Sequence, residues 1–359
     1  MIGEHEPRQA MPVNQDQPFR IALTADFFDH DGNPKYKDLG LSVFDGHAHI
    51  EYFAFDAHKP QIAPDQLRNA NGVIVLGATV TADSLAAADD LLAVVRFGVG
   101  YDSVDVGACT DADVLLIISK GAVDRPVAEA TVGWMIALTH NLLAKDRLVR
   151  EGDWDARSRY MGAELRDRTF GAVGLGGIAT HTMRLLSIFG MKPPIAFDPY
   201  VDPDAGRPFG ELVELDELMS RADFVSLHCP LTDETRGLIG ARELALMRPD
   251  SYLINTARGG IVVEDALYDA LEQGRIAGAA LDCFEQEPVV TPHRFGRLDN
   301  VILAPHSIAW TDELFRDIGR MNCQSLLDLS LGKVPHGIVN AEVLERPGFR
   351  AKWKRLRGG

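Results

Sequence analysis

The sequence predicts an α/β protein built as two doubly wound parallel-sheet domains with a cleft between them. Three observations carry that prediction. The chain has 359 residues, enough for two domains. Short apolar runs alternate with helical patterns twice, first over residues 20–120 and again from Thr169 onward. Between the two blocks, Phe170-Gly-Ala-Val-Gly-Leu-Gly-Gly-Ile-Ala179 turns a buried strand into a helix through glycines.

In chain order, residues 1–18 are polar and read as a disordered arm. Arg20-Ile-Ala-Leu-Thr is a first strand. Leu41 to Phe55 alternates, with Asp45, His47, His49 and Glu51 on one face. That face reads either as a metal site or as a solvated strand. No further ligand cluster follows with a recognisable spacing, so no metal is assigned. Gly72-Val-Ile-Val-Leu-Gly is a buried strand, Ser84 to Asp90 a helix, Val94 to Phe97 a strand entering a glycine turn, and Asp113 to Ser119 another strand. Pro126 to Leu148 reads as one long helix, with Pro126 in its first turn. The second block places strands at 169–173, 194–197, 223–227, 251–255, 277–281 and 301–303, the six of a complete Rossmann-like sheet. A last helix covers Asp312 to Leu331 and could fold back on the first domain. Residues 341–359 read as a basic, solvated tail. The domains are therefore 19–123 with 309–340, and 124–308.

The glycine turn has a chemical reading. Gly174 makes the tight turn, Gly176 lets backbone approach a pyrophosphate, and the helix opening at Gly177 and Ile178 points unpaired N–H groups at it. Ala179 is small enough for close helix–strand packing. The next strand ends at Asp198, whose carboxylate suits the adenosine ribose hydroxyls and repels a 2′-phosphate. No arginine follows it directly, so NAD is favoured over NADP.

Composition narrows the remaining classes. Hydrophobic residues make up 46% and charged residues 25%, ordinary for a globular protein. A formal net charge of -16 argues against a nucleic-acid surface. The four cysteines, Cys109, Cys229, Cys283 and Cys323, have neither metal spacing nor disulfide-scaffold density. They read as thiols of a reducing compartment, which with the absence of a signal peptide or apolar span points to the cytoplasm.

Three stretches set polar groups just beyond strands of the second block: Ile254-Asn-Thr-Ala-Arg258-Gly-Gly, Ala280-Leu-Asp282-Cys-Phe-Glu285-Gln-Glu287-Pro288 and Ile302-Leu-Ala-Pro-His306-Ser. A guanidinium at such a rim can fork onto a carboxylate, although a surface salt bridge would look the same. Ligands of open α/β sheets sit beyond the carboxyl ends of strands, so the three stretches together make a site.

At these residues the chain resembles the D-isomer-specific 2-hydroxyacid dehydrogenase family, including glyoxylate/hydroxypyruvate reductases and phosphoglycerate dehydrogenases. The matching stretches are Gly98-Val-Gly-Tyr-Asp-Ser-Val-Asp105, Arg125-Pro-Val-Ala-Glu129, Gly174-Leu-Gly-Gly-Ile178, His228-Cys-Pro-Leu-Thr232, Asn255-Thr-Ala-Arg-Gly-Gly260, Gly278 to Pro288 and Ala304-Pro-His306. The resemblance implies that Arg258 holds the substrate and polarises its 2-oxo group, that His306 is the proton donor in reduction and the base in oxidation, and that Glu287 fixes the imidazole. It implies backbone contacts to the substrate carboxylate from Val99 and Gly100. For NAD it implies contacts from Gly174, Leu175, Gly176, Gly177, Ile178, Asp198, His228, Cys229, Pro230, Thr235, Thr256, Ala257 and Asp282, with Asp282 meeting the nicotinamide carboxamide. It further implies hinges near 121–126 and 306–312, and a homodimer formed through the 126–150 helix.

The chain ends soon after residue 340, which is read as lacking the regulatory domain some family members carry. Formate dehydrogenases of the family have glutamine where Glu287 stands, so formate is disfavoured. Trp310 is not assigned to the pocket, and Arg96 is either a second cation near the carboxylate or structural. A nucleophilic role for Cys229 finds no paired base in sequence. The resulting expectation is an NAD-dependent oxidoreductase acting on a small 2-oxo or 2-hydroxy acid, with no nucleic-acid or membrane partner. Its alternative is an NAD(H)-sensing, corepressor-like interaction protein on the same fold.

Overall fold

The computed structural model describes residues 18–202 and 209–356. The arm at 1–17 and the last three residues of the basic tail lie outside them. The chain divides into two compact units, one formed by residues 1–123 with 311–359 and the other by 124–310.

The first unit holds a five-stranded sheet: β1 Phe19–Leu23, β2 Ile50–Ala54, β3 Gly72–Val75, β4 Ala93–Arg96 and β5 Leu115–Ile118. Its order is β2-β1-β3-β4-β5, and every pair is parallel. Strands β3 to β5 are sealed on both faces, and this is why they read as continuous apolar runs in the sequence. Helix Asp312–Ser330 belongs to this unit, capped by the Thr311 hydroxyl on the Leu314 N–H at 3.0 Å. It packs so closely on the short 3₁₀ helix Leu41–Phe44 that a Cβ on Gly319 would collide with the Leu39 carbonyl.

The second unit holds a seven-stranded sheet: β6 Phe170–Val173, β7 Ile195–Phe197, β8 Glu211–Leu212, β9 Phe224–Leu227, β10 Tyr252–Asn255, β11 Gly278–Leu281 and β12 Val301–Leu303. The order β12-β11-β10-β9-β6-β7-β8 is parallel throughout. The strand order reverses between β6 and β9, so the crevice where such sheets take ligands opens at Gly174 and His228. Helix Asp124–Thr139 buries Trp134 and Met135 in the same cluster as Phe170, Ala179 and Met183. Among the described residues no helix is long and apolar enough to cross a membrane.

Five sequence expectations need correction. The alternation over 41–55 does not make one strand. Leu41–Phe44 is a 3₁₀ turn, Gly46 adopts a left-handed φ of 80°, and only Ile50–Ala54 is extended. Asp45, His47, His49 and Glu51 therefore do not share a strand face; His49 Nε2 lies 3.1 Å from Ser330 Oγ instead. The long helix breaks after Thr139, whose hydroxyl bonds back to the Met135 carbonyl at 2.8 Å. Asn141 then takes a φ of 51°, and a second helix runs Leu142–Glu151. The helix expected over Ser84 to Asp90 is a single turn at Ala82–Leu85, and the sheet gains β8, too short for an apolar run.

The fifth correction is the tail. Ala341–Glu345 is a 3₁₀ turn and Pro347–Leu356 a helix. Phe349 is fully buried, and Lys352 Nζ donates to the carbonyls of Leu91, Ala112 and Asp113 at 2.9, 3.2 and 3.2 Å. Arg350, Lys354 and Arg355 are exposed, while Phe349, Trp353 and Lys352 form the docked side that the charge count concealed.

Candidate active site

Three loops leave the carboxyl ends of neighbouring strands in the second unit. The first follows β10. Asn255 is buried and clamps it, donating from Nδ2 to the Arg258 carbonyl at 2.8 Å and accepting the Ala257 N–H at 3.0 Å. The loop presents Arg258, whose Nη1 donates to the Ala257 carbonyl at 2.7 Å. Gly259 comes next, and a Cβ there would collide with the Phe284 carbonyl. Only glycine permits that approach, which holds the Arg258 loop against the loop after β11.

The β11 loop carries Asp282, Cys283 and Glu287. The Glu287 carboxylate is divided between two partners. Its Oε1 accepts the Phe284 N–H at 2.9 Å, and its Oε2 lies 2.7 Å from His306 Nδ1. Burial pulls this carboxyl upward, but the His306 and Phe284 hydrogen bonds and the His306 and Arg258 charges outweigh it. The net effect holds the pKa below its ordinary value. The Cys283 Sγ lies 3.3 Å from the Ala257 carbonyl.

The third loop follows β12 and carries His306 with a φ of 53°. A left-handed conformation costs a non-glycine residue about 1–2 kcal/mol. It is held from both sides. The His306 N–H donates to the Asp282 carbonyl at 2.8 Å, and the Asp282 carboxylate accepts the N–H groups of Ser307 at 2.9 Å and Ile308 at 3.2 Å. Burial raises the Asp282 pKa, and those two donors oppose the rise. The sequence reading placed Asp282 toward a cofactor; its carboxylate also fixes the backbone beside His306.

The nucleotide-type residues lie at the sheet's reversal. Gly174 has a φ of 93°, and a Cβ on it would sit 2.9 Å from the Cys229 backbone nitrogen. Leu175 donates its N–H to Asp198 Oδ2 at 2.8 Å, tying the end of β7 to the turn. Space beyond Gly176 is open, whereas a side chain on Gly177 would strike the Asp124 carboxylate. Gly176 therefore offers bare backbone at the start of helix Gly177–Leu186, which includes Ile178, and this fits a pyrophosphate.

His228 is half-buried with its Nε2 shielded from solvent; desolvation pushes its pKa down to about 4, and Nε2 has no partner among the described residues. Burial pushes the Cys229 thiol up to about 11, so it is not a thiolate nucleophile at neutral pH. The Pro230 carbonyl accepts the Thr235 hydroxyl at 2.6 Å, and the Thr256 hydroxyl is buried without a partner among the described residues.

Thus Arg258, Glu287, His306, Asp282 and Ala257 lie on neighbouring loops, and Gly174, Leu175, Asp198, His228 and Cys229 meet at the reversal. Val99 and Gly100 belong to the other unit, after Gly98, whose φ is 138° and whose carbonyl accepts the Ser119 N–H at 2.9 Å. Beside that turn, Arg96 Nη1 donates to the Phe97 carbonyl. Sequence reasoning did not single out Cys283 or the 307–308 backbone. The only signal was their adjacency to Asp282 and His306.

A family model described as the NAD binding domain of D-isomer specific 2-hydroxyacid dehydrogenases matches residues 132–307. A glyoxylate reductase of Thermofilum pendens is 38% identical over 279 residues, covering 76% of this chain and 82% of the relative. A D-3-phosphoglycerate dehydrogenase of Methanocaldococcus jannaschii is 37% identical over 77% of this chain, which spans only 53% of that relative's length. Among solved structures, a Thermus thermophilus protein superposes with a TM-score of 0.78 at 26% identity, covering 89% of this chain and 99% of that one. With this similarity and the two parallel sheets described above, the chain belongs to the NAD-dependent D-isomer-specific 2-hydroxyacid dehydrogenase family.

Proposed function

We propose that the protein reduces a small 2-oxo acid of the glyoxylate or hydroxypyruvate class to its D-2-hydroxy acid, and oxidises the latter in reverse. The observation that carries this reading is the 2.7 Å contact between His306 Nδ1 and Glu287, whose own loop packs against the one that presents Arg258. The name of the Thermofilum pendens relative, a glyoxylate reductase, supports the substrate class.

NADH supplies the hydride to the substrate carbon when bound. Arg258 engages the carboxylate and the 2-oxo oxygen, and its charge acts on that oxygen as negative charge develops there. His306 enters reduction as the imidazolium and gives its Nε2 proton to the same oxygen, while Glu287 holds Nδ1 and fixes the tautomer left behind. In oxidation the neutral imidazole takes the proton back. In this reading residues 124–310 hold NAD along Gly174–Ile178, with Asp198 at the ribose, His228, Cys229, Pro230 and Thr235 beside it, and Thr256, Ala257 and Asp282 toward the nicotinamide. The family resemblance assigns the Val99 and Gly100 amides to the substrate carboxylate.

A homodimer through residues 126–150 is part of the same proposal. Leu142, Leu143 and Val149 are 56%, 50% and 67% exposed, an apolar strip suited to a second copy. A sensing role on the same fold has no observation in its favour.

The test is absorbance loss of NADH, and separately NADPH, against 2-oxo acids from glyoxylate to phenylpyruvate. Turnover with one of them, abolished in His306→Gln without loss of NADH binding, is the expected result. Binding of NADH with no turnover on any acid overturns the reading.

A further inference from the structure

The geometry points to a soft divalent-cation site formed by Cys283, Glu287 and His306, through which zinc-class ions switch the site off. One ligand atom from each residue lies within 4.8 Å of the others. The donor set of thiol, carboxylate and imidazole is the mixed sulfur, oxygen and nitrogen set that zinc takes, whereas magnesium and calcium prefer oxygen alone.

The spacing suits such an ion. Bonds of about 2.0–2.3 Å at tetrahedral angles put donors about 3.2–3.7 Å apart, so side-chain rotations of about an ångström form this site, among them the opening of the 2.7 Å contact between His306 and Glu287. Two of the three are already positioned by the fold: Glu287 by the Phe284 N–H, and Cys283 by its 3.3 Å approach to the Ala257 carbonyl. Cys283 is buried, while Glu287 and His306 are partly open to solvent. The cation therefore enters from the His306 side and keeps a fourth position for water. On binding, the Cys283 S–H bond and the His306 Nδ1–H bond that faces Glu287 both break, and their protons leave to solvent as the metal–sulfur and metal–nitrogen bonds form; no electrons move.

The inhibitory consequence rests on the reading of His306 as proton donor, because an imidazole held by a metal cannot serve the substrate. The cation site itself does not rest on it. The test therefore has two arms. Chelator-stripped protein is titrated with cobalt(II), and thiolate ligation is read from the near-ultraviolet sulfur-to-cobalt band, which zinc should abolish. Turnover of NADH is then measured against zinc for the parent, Cys283→Ser and Cys283→Ala, with thermal melts confirming that both variants fold.

The expected result is a band in the parent that is lost in both variants. The variants keep metal-free turnover and need at least tenfold more zinc for half inhibition. No cobalt–thiolate band in the parent, or a band that survives in the Cys283 variants, overturns the proposal. So does equal zinc sensitivity of the parent and both variants. A Cys283-dependent band in a protein that turns over no 2-oxo acid leaves the cation site standing and overturns the proposed function alone.

Discussion

Glu287→Gln tests the core of the site, because the structure dictates why an isosteric amide fails. Each carboxylate oxygen now accepts, Oε1 from the Phe284 N–H at 2.9 Å and Oε2 at the 2.7 Å contact with His306 Nδ1. Glutamine can accept at only one end. If its oxygen keeps Phe284, its NH₂ group faces Nδ1 and forces the imidazole to carry its proton on the other nitrogen. An imidazolium then sets N–H against N–H. If the amide flips, the clash moves to Phe284 N–H. Either way one charge-assisted bond is lost, worth about 1.5–3 kcal/mol. At 1.36 kcal/mol per factor of ten, kcat should fall about 10- to 150-fold. The KM for NADH should hold, because Glu287 is assigned no cofactor contact. The assay is steady-state NADH oxidation with the best 2-oxo acid, beside a thermal melt. A folded variant whose kcat stays within about twofold of the parent's would refute the argument that Glu287 holds the imidazolium.

Other predictions use separate parts of the chain. Asp198→Gly should shift the NADPH-to-NADH preference by about tenfold or more, since a like charge facing the 2′-phosphate disappears. Overall cofactor affinity should also drop, because the Leu175 N–H loses its acceptor; an unchanged cofactor ratio removes Asp198 from the ribose. Phe349→Ala should destabilise the first unit by about 3–5 kcal/mol in urea titration, as a fully buried aromatic is deleted. A midpoint equal to the parent's would mean that the terminal helix is not docked. Burial lowers the Lys352 pKa below 10.5, so the folded state binds fewer protons at this residue than the unfolded state. Its contribution to stability therefore rises as pH climbs toward 10.5, and the gap between the parent and Lys352→Met should widen in the parent's favour over that range. A gap that does not change with pH contradicts the burial.

The elements legible in the sequence are those whose physics is local. Strands β3, β6 and β11 are buried on both faces, so each shows as an unbroken apolar run. The turn at Gly174 is legible because a φ of 93° against the His228 and Cys229 backbone admits nothing else cheaply. Where tertiary contacts decide, the pattern misleads. Residues 126–148 keep a helical rhythm through the break, because the Thr139 back-bond and the left-handed Asn141 leave no mark in hydrophobic periodicity. The basic stretch after Arg346 looks solvated because charge dominates its composition. The residues that dock it are one phenylalanine, one tryptophan and the stem of Lys352, and these count for little in any average.

The site divides along the same line. Arg258, Glu287 and His306 are recognisable because their identities carry the chemistry, whatever surrounds them. What makes them a constellation is a set of bonds between side chains and backbone across distant stretches. Asn255 clamps the Arg258 turn, Gly259 lies against Phe284, and Asp282 reaches 25 and 26 residues along the chain to Ser307 and Ile308. A sequence pattern shows an aspartate after a buried strand. It does not show that this carboxylate holds the peptide groups next to a histidine in a costly conformation. Asp282 therefore has a structural duty whether or not it also meets the cofactor. Asp282→Ala should disturb the pairing of His306 with Glu287, and cofactor contact alone would not predict that. The chemical residues can be named from sequence, and their precision comes from neighbours that only the fold brings near.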